Sequence, residues 1–382
     1  MLPVASGQTG SVTGMTPTRT PPWGLASRTR RLGALMGVDL PILGAPMGGV
    51  AGPDLAAAVS NAGGLGVLGH ANLAPDRVRD EIRRTRELTD RPFGIGLLFP
   101  SGAPPERDPA AAPAPLPDFL RALGDPDPRV SVVGERTYDH EMAAERLEIA
   151  IAEGVRVLTC GLGVPEAVVE RAHRGGMVVV SLVGSLKAAR AAEARGVDAI
   201  VAQGHEAGGH TGRTSTLVLV PQIADAVRVP VIAAGGIVDG RTLAAALMLG
   251  AEGGLVGTAL IATPEAQTAQ THKAAVVAMA DDDTVVSRTY TGKPSRVIRN
   301  RYTEAWKGHE HEVLPMPAQW EMVAPLVLPA KQKGSMEIGN WPTGQGAVLV
   351  RAERSAVDVV RAMAADAEAC LSGGRTAADG EA

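Results

Sequence analysis

Residues 201–212, VAQGHEAGGHTG, place two histidines and a glutamate on a glycine-rich backbone directly after an apolar run. Imidazole is the side chain suited to moving protons near neutral pH, and glycines at 204, 208, 209 and 212 let the main chain approach a ligand closely. The spacing excludes a zinc site of the HExxH kind. That site needs histidines four apart on one helix face, whereas His205 and His210 are five apart with Gly208 and Gly209 between them. The run GHEHE at 308–312 reads as a solvated charged turn, so no metal is assigned.

A second constellation lies at 229–260, VPVIAAGGIVDGRTLAAALMLGAEGGLVGTAL. One apolar run ends in Gly235–Gly236, a helix begins near Asp239, and the next run ends at Gly257–Thr258. Neighbouring strand ends of this kind cradle a phosphate with backbone N–H groups, which a side chain would block. By contrast, Gly64, Gly66 and Gly69 spell GxGxxG inside an apolar run, with a helix-like segment before it rather than after it. Close packing, not dinucleotide binding, accounts for them. Cys160 ends another apolar run without a basic neighbour and reads as a small buried hydrophobe.

These residues need a scaffold, and the sequence supplies a rhythm. Eight short apolar runs recur at 40–46, 64–69, 93–99, 155–161, 177–183, 197–204, 229–236 and 253–258. Helix-like stretches at 53–62, 75–88, 138–152, 165–174, 185–195 and 239–249 alternate with them. Near-continuous Val/Ile/Leu runs are the mark of parallel strands buried on both faces. Eight of them alternating with helices predict an α/β protein of the TIM (β/α)8 barrel type, with chemistry on the loops at the carboxyl ends of the strands. Residues 1–27 read as a disordered leader and 28–280 as the barrel. Residues 100–137, proline-dense, read as a long insertion after strand 3. Residues 281–382 read as a C-terminal accessory segment ending in a helix.

Bulk composition narrows the function. The formal net charge of −4 over 382 residues offers no surface for a polyanion, and 3% aromatic residues argue against base-stacking platforms, so nucleic acid is not an expected partner. No apolar run reaches the length of a membrane span. Two distant cysteines form no disulfide framework, and a reducing, cytoplasmic compartment is the default expectation.

Three segments in order, GAPMGGVAGPDLAAAVSNAGGLGVLG (44–69), VAQGHEAGGHTG (201–212) and VIAAGGIVDGRTLAAALMLGAEGGLVGTAL (231–260), make the chain resemble the nitronate monooxygenases, formerly 2-nitropropane dioxygenases. FMN-dependent enoyl-acyl-carrier-protein reductases are their close relatives. The resemblance covers roughly residues 28–371. It implies FMN as cofactor, a small-molecule substrate and O2 as reactants, and an oxidation of a nitronate or a similar activated anion. Use of NAD(P)H and a homodimer are left open. It implies that Ala45, Pro46 and Met47 lie along the flavin ring, that Gln203 reaches the cofactor, and that Gly208 and Gly209 let the backbone approach it. Gly235, Gly236, Gly257 and Thr258 would hold the phosphate, and His210, in the family's EAGGH motif, would be the catalytic residue. His205 has no such match and reads as a loop histidine turned to solvent or bracing the loop. Two positions depart from the family: Gly96 stands where many members carry a flavin-touching Asn, and Ser181 where one class carries a histidine. They motivate one alternative, an inactive flavin-binding module, and the reductase relatives supply another, an NAD(P)H-dependent FMN enoyl reductase.

Overall fold

A computed structural model describes residues 24–70, 73–99, 113–130 and 140–374. In chain order the strands are β1 (Ile42–Gly44), β2 (Gly66–Leu68), β3 (Phe93–Leu98), β4 (Val157–Gly161), β5 (Val178–Val183), β6 (Ala199–Gln203), β7 (Gly209–His210), β8 (Val231–Ala234), β9 (Gly253–Val256), β10 (Thr284–Ser287) and β11 (Ser295–Ile298). Eight of them pair in parallel in the order β1-β9-β8-β6-β5-β4-β3-β2. A bridge between Leu43 and Leu65 joins the two ends, with Gly44 N donating to Leu65 O and Leu65 N to Ile42 O, both at 2.9 Å. The result is a TIM barrel, and each of the eight apolar runs supplies one of its strands.

Alternation along the strands separates two cores. Leu43, Val67, Val180, Val201, Ile232 and Leu255 fill the barrel interior, while Ile42, Ile95, Leu158, Val179, Ile200 and Val256 face the surrounding helices. Combined with the strand register, this stacks interior residues in layers of four from alternate strands. Leu43, Gly94, Val180 and Ile232 form one layer, and Val67, Thr159, Val201 and Leu255 the next. Cys160 falls on the helix side, fully buried, and burial raises its thiol pKa. Ser181 shares the parity of Val179 and Val183 and is also turned outward and buried. The interior position near the end of β5 belongs to Leu182 instead.

Local signals set the helix starts. Ser185 accepts from Ala188 N ahead of Leu186–Ala194, and Asp239 and Thr242 form a reciprocal capping box ahead of Gly240–Met248. The last helix, Ala356–Leu371, packs back against Gly240–Met248 and Pro53–Asn61. Gly240 permits that approach, since a Cβ there would stand 2.3 Å from Asp366 Cβ.

Between β9 and the last helix the chain builds an accessory layer. β10 and β11 form an antiparallel pair, and β7 adds to the free side of β11. Tyr290, Tyr302, Trp306, Met322 and Val323 make its own core, which Leu116 and Leu120 join. Residues 113–130 of the expected insertion are therefore docked on the accessory layer, and 100–112 and 131–137 lie outside the described residues. The leader expected over 1–27 lies outside them up to residue 23. From Leu25 to Met36 the chain is a helix that buries Leu25, Leu32 and Met36, so order begins earlier than its composition suggests.

Candidate active site

The carboxyl ends of the eight strands share one rim. Register and alternation put Gly69, Gly161, Gln203 and Gly257 in the uppermost interior layer and Ala45, Gly96, Leu182 and Ala234 beneath it. Small residues leave this end of the barrel hollow, and the segment after β1 folds into the space. A Cβ on Gly96 would stand 2.2 Å from Pro46 Cβ, one on Gly69 2.3 Å from Met47 O, and one on Gly257 3.6 Å from Met47 Sδ. The departure at Gly96 thus has a steric reason: Pro46 occupies the room that an Asn side chain would need.

The four residues expected to hold a phosphate directly follow two adjacent strands, β8 and β9. Ala234 pairs with Leu255 in the β8–β9 ladder, which places Gly235–Gly236 beside Gly257–Thr258. Gly235 and Gly236 have φ of 91° and 74°, in the left-handed region that a side chain disfavours. Among the described residues no acceptor is found for the N–H groups of Gly236, Gly257 and Thr258. These open donors and glycine surfaces fit an anionic group such as the phosphate of a flavin nucleotide. The N-terminus of Gly240–Met248 contributes less than the sequence suggests, because Asp239 already fills it.

His210 lies on β7, opposite Ser295 of β11. Its Nδ1 is 3.2 Å from Pro294 O, so Nδ1 carries the proton and donates it. No partner for Nε2 is found among the described residues. Burial lowers the pKa of the ring, and the Lys293 ammonium lowers it further against the opposing effect of the Pro294 bond. A neutral imidazole with an open Nε2 lone pair is a base at neutral pH. Gln203 does not point freely into the rim: its Nε2 donates to His210 O at 2.5 Å and ties the end of β6 to β7. His205 braces the loop, with Nδ1 3.1 Å from Gly212 O and Nε2 2.9 Å from Arg296 Nη2.

Glu206 caps the helix Thr216–Ala224, accepting from Thr216 N at 2.9 Å and Thr216 Oγ1 at 2.9 Å. Neither this role nor the loop's attachment to β11 is visible in the sequence, because both partners lie elsewhere in the chain.

Sequence reasoning also missed the segment 341–346, WPTGQG. A Cβ on Gly208 would stand 2.8 Å from Gly344 N, and one on Gly346 3.5 Å from Gly236 Cα. Gly344 N donates to Thr258 Oγ1 at 2.9 Å, and Gln345 N to Glu206 O at 2.9 Å. The segment therefore strings together Thr258, Gly208 and Gly236. Its anchor is His272, buried, with Nε2 2.9 Å from Thr343 Oγ1, Nδ1 3.0 Å from Thr268 Oγ1 and its ring 4.9 Å from that of Trp341. Burial lowers its pKa to about 3. Two glycines in WPTGQG, far from any strand run, were the available signal. At the end of β2, His70 is buried with its pKa lowered to about 4, and its Nε2 faces Glu81 Oε2 at 3.7 Å.

With this geometry in hand, known proteins offer close counterparts. A family model described as nitronate monooxygenase matches residues 29–366. A probable nitronate monooxygenase of Staphylococcus saprophyticus is 34% identical over 335 residues, covering 84% of this chain and 93% of its own. A putative monooxygenase of Mycobacterium tuberculosis is 38% identical over 333 residues, covering 80% and 89%. Among solved structures, FabK from Thermotoga maritima superposes with a TM-score of 0.75 at 32% identity over 90% of this chain and 97% of that one. A nitroalkane oxidase from Streptomyces ansochromogenes superposes with a TM-score of 0.75 at 32% identity over 90% and 99%.

Proposed function

This chain belongs to the nitronate monooxygenase family and is a flavin-dependent oxidoreductase, and from that premise we propose that it binds FMN at the barrel rim and oxidises nitronates with O2. The N–H groups of Gly236, Gly257 and Thr258 would hold the phosphate, Gly208 and Gly209 would pass close to the nucleotide, and Ala45, Pro46 and Met47 would lie along the ring. When bound, the flavin supplies the electron acceptor for an anionic carbon substrate and the means of passing electrons to O2.

The observation that carries the reading is the placement of His210, whose Nδ1 meets Pro294 O at 3.2 Å while Nε2 has no partner among the described residues. A base there takes the proton from the carbon beside a nitro group and delivers the nitronate form at the ring. Preformed nitronate needs no such base. Leu182 and the small interior residues beneath the rim give the site an apolar floor that excludes water.

Two experiments test this. Purified protein should carry a flavin spectrum, and anaerobic ethylnitronate should bleach it much faster than NADH or NADPH does. Fast bleaching by a nicotinamide instead would favour the reductase reading. His210→Gln should keep its flavin, lose about 10²–10⁴-fold on neutral nitroethane, and lose far less on preformed nitronate. Equal losses on the two substrates would remove His210 from proton transfer.

A further inference from the structure

The loop that carries His210 is gripped from outside the barrel, and the gripping group is a buried cation. Arg296 of β11 is 3% exposed. Its Nε donates to His205 O at 3.2 Å, its Nη2 to His205 O at 3.2 Å and to His205 Nε2 at 2.9 Å, and its Nη1 to Thr284 Oγ1 at 3.0 Å. No carboxylate forms an ion pair with it among the described residues, and the acid that acts on its charge, Glu206, is spent on capping Thr216. Burying a guanidinium without a paired carboxylate costs several kcal/mol of desolvation, repaid here only by neutral acceptors. Such an arrangement is out of proportion to fastening an ordinary loop.

What it fastens is specific. A guanidinium can only donate, so His205 Nε2 must accept and the ring proton must sit on Nδ1. From Nδ1 that proton reaches Gly212 O at 3.1 Å. One side chain thereby fixes the first residue of the loop directly and, through the imidazole, the last. Between these points the backbone of Arg296 lies opposite Gly209, and Ser295 lies opposite His210. His210 Nδ1 meets Pro294 O on the same strand. Among the described residues the charged group acting on His210 is Lys293, beside Pro294, while Arg296 lies opposite Gly209 and sends its guanidinium to His205 and Thr284.

We propose that Arg296 is a positioning residue for His210: by holding His205 as the Nδ1–H tautomer, it pins both ends of the 205–212 loop and so fixes the imidazole of His210 at the barrel mouth. The accessory layer is then part of the reaction centre, since it carries the holder. The proposal rests on the reading of His210 as the base, and its test keeps the two apart.

The test uses the flavin-loaded full chain with Arg296→Gln, His205→Leu and the double variant. The titration midpoint of the His210 ring is followed by proton–nitrogen NMR, assigned by the signal lost in His210→Gln. Turnover of nitroethane and FMN affinity are measured in parallel. In the single variants the His210 midpoint should rise toward the value of a solvated imidazole, about 6.5. Turnover of nitroethane should fall about tenfold or more, and FMN affinity should stay within about threefold. The double variant should lose no more than the worse single one, because both substitutions break the same chain of bonds. An unmoved His210 midpoint, or losses that multiply in the double variant, would overturn the proposal and leave Arg296 as scaffold only. If Arg296→Gln does not fold, His205→Leu decides by the same midpoint. A His210→Gln enzyme with full nitroethane turnover would sink the base reading, while the NMR midpoint would still report on Arg296.

Discussion

Replacing Gly96 with Asn would restore the side chain many family members carry at this position, and the structure says it should harm this protein. The new Cβ would stand 2.2 Å from Pro46 Cβ and 2.9 Å from Pro46 Cγ. Carbon atoms in comfortable contact are about 3.5–4.0 Å apart, so Pro46 would have to retreat by more than about 1 Å. A proline ring has no rotamer to escape into, and the retreat must be taken up by the backbone of 45–47. That backbone is fixed by Met47 N donating to Ala45 O at 2.8 Å and by Ala45 N donating to Val256 O at 2.8 Å. Overpacking a close-packed site costs about 1–3 kcal/mol, which is about 5–150-fold in an equilibrium constant. Because the Cβ alone makes the clash, Gly96→Ala should lose nearly as much as Gly96→Asn. Urea unfolding of the apo-protein reads the stability loss, and quenching of FMN fluorescence reads the affinity. Both variants should unfold at lower urea and bind FMN more weakly. An Asn variant as stable as the parent that binds FMN more tightly would refute the reasoning, because the amide would then have found the room denied it here.

Other predictions follow from single contacts. Thr258→Val removes the acceptor of Gly344 N–H and should cost about 1–2 kcal/mol, with faster hydrogen exchange at the Gly344 amide and weaker FMN binding. His272→Ala strips Thr268 and Thr343 of their partner and Trp341 of its ring contact, and should lower unfolding free energy by about 2–4 kcal/mol. His70 and His272, with folded pKa values of about 4 and about 3, bind a proton more readily unfolded than folded. Stability should therefore fall as pH drops below about 6.5, by about 1.4 kcal/mol per pH unit for each ring until its folded pKa is reached. Urea titrations between pH 7 and pH 4.5 would show this, and His272→Gln should flatten the slope. In the proposed role His210 would serve as a base only when neutral, and burial lowers its pKa, so kcat/KM on nitroethane should hold below pH 6.5 and decline as pH falls through the lowered value. A decline that begins above pH 6.5 would contradict the burial argument.

The sequence alone determined the barrel. A parallel strand buried on both faces must be written as a continuous apolar run, so eight such runs with helices between them leave few alternatives. It also marked the rim, because glycines at 235, 236 and 257 directly follow two strand runs, and that signal is local. What it could not show were contacts between residues far apart in the chain. Gly96 read as a missing amide until Pro46 was seen filling its space. Ser181 read as standing in the place of a histidine until strand parity turned it outward. Residues 204–212 read as a glycine-rich loop held against a ligand, whereas a short strand there also pairs with β11 and brings His210 beside the strand that carries Arg296. The tail segment 341–346 carried no strand or helix pattern, yet it crosses the rim. Periodicity records what each segment must bury against its surroundings, and it is silent about which distant segment those surroundings are. Only the closed barrel, by bringing the ends of eight strands and the accessory layer to one rim, made that choice.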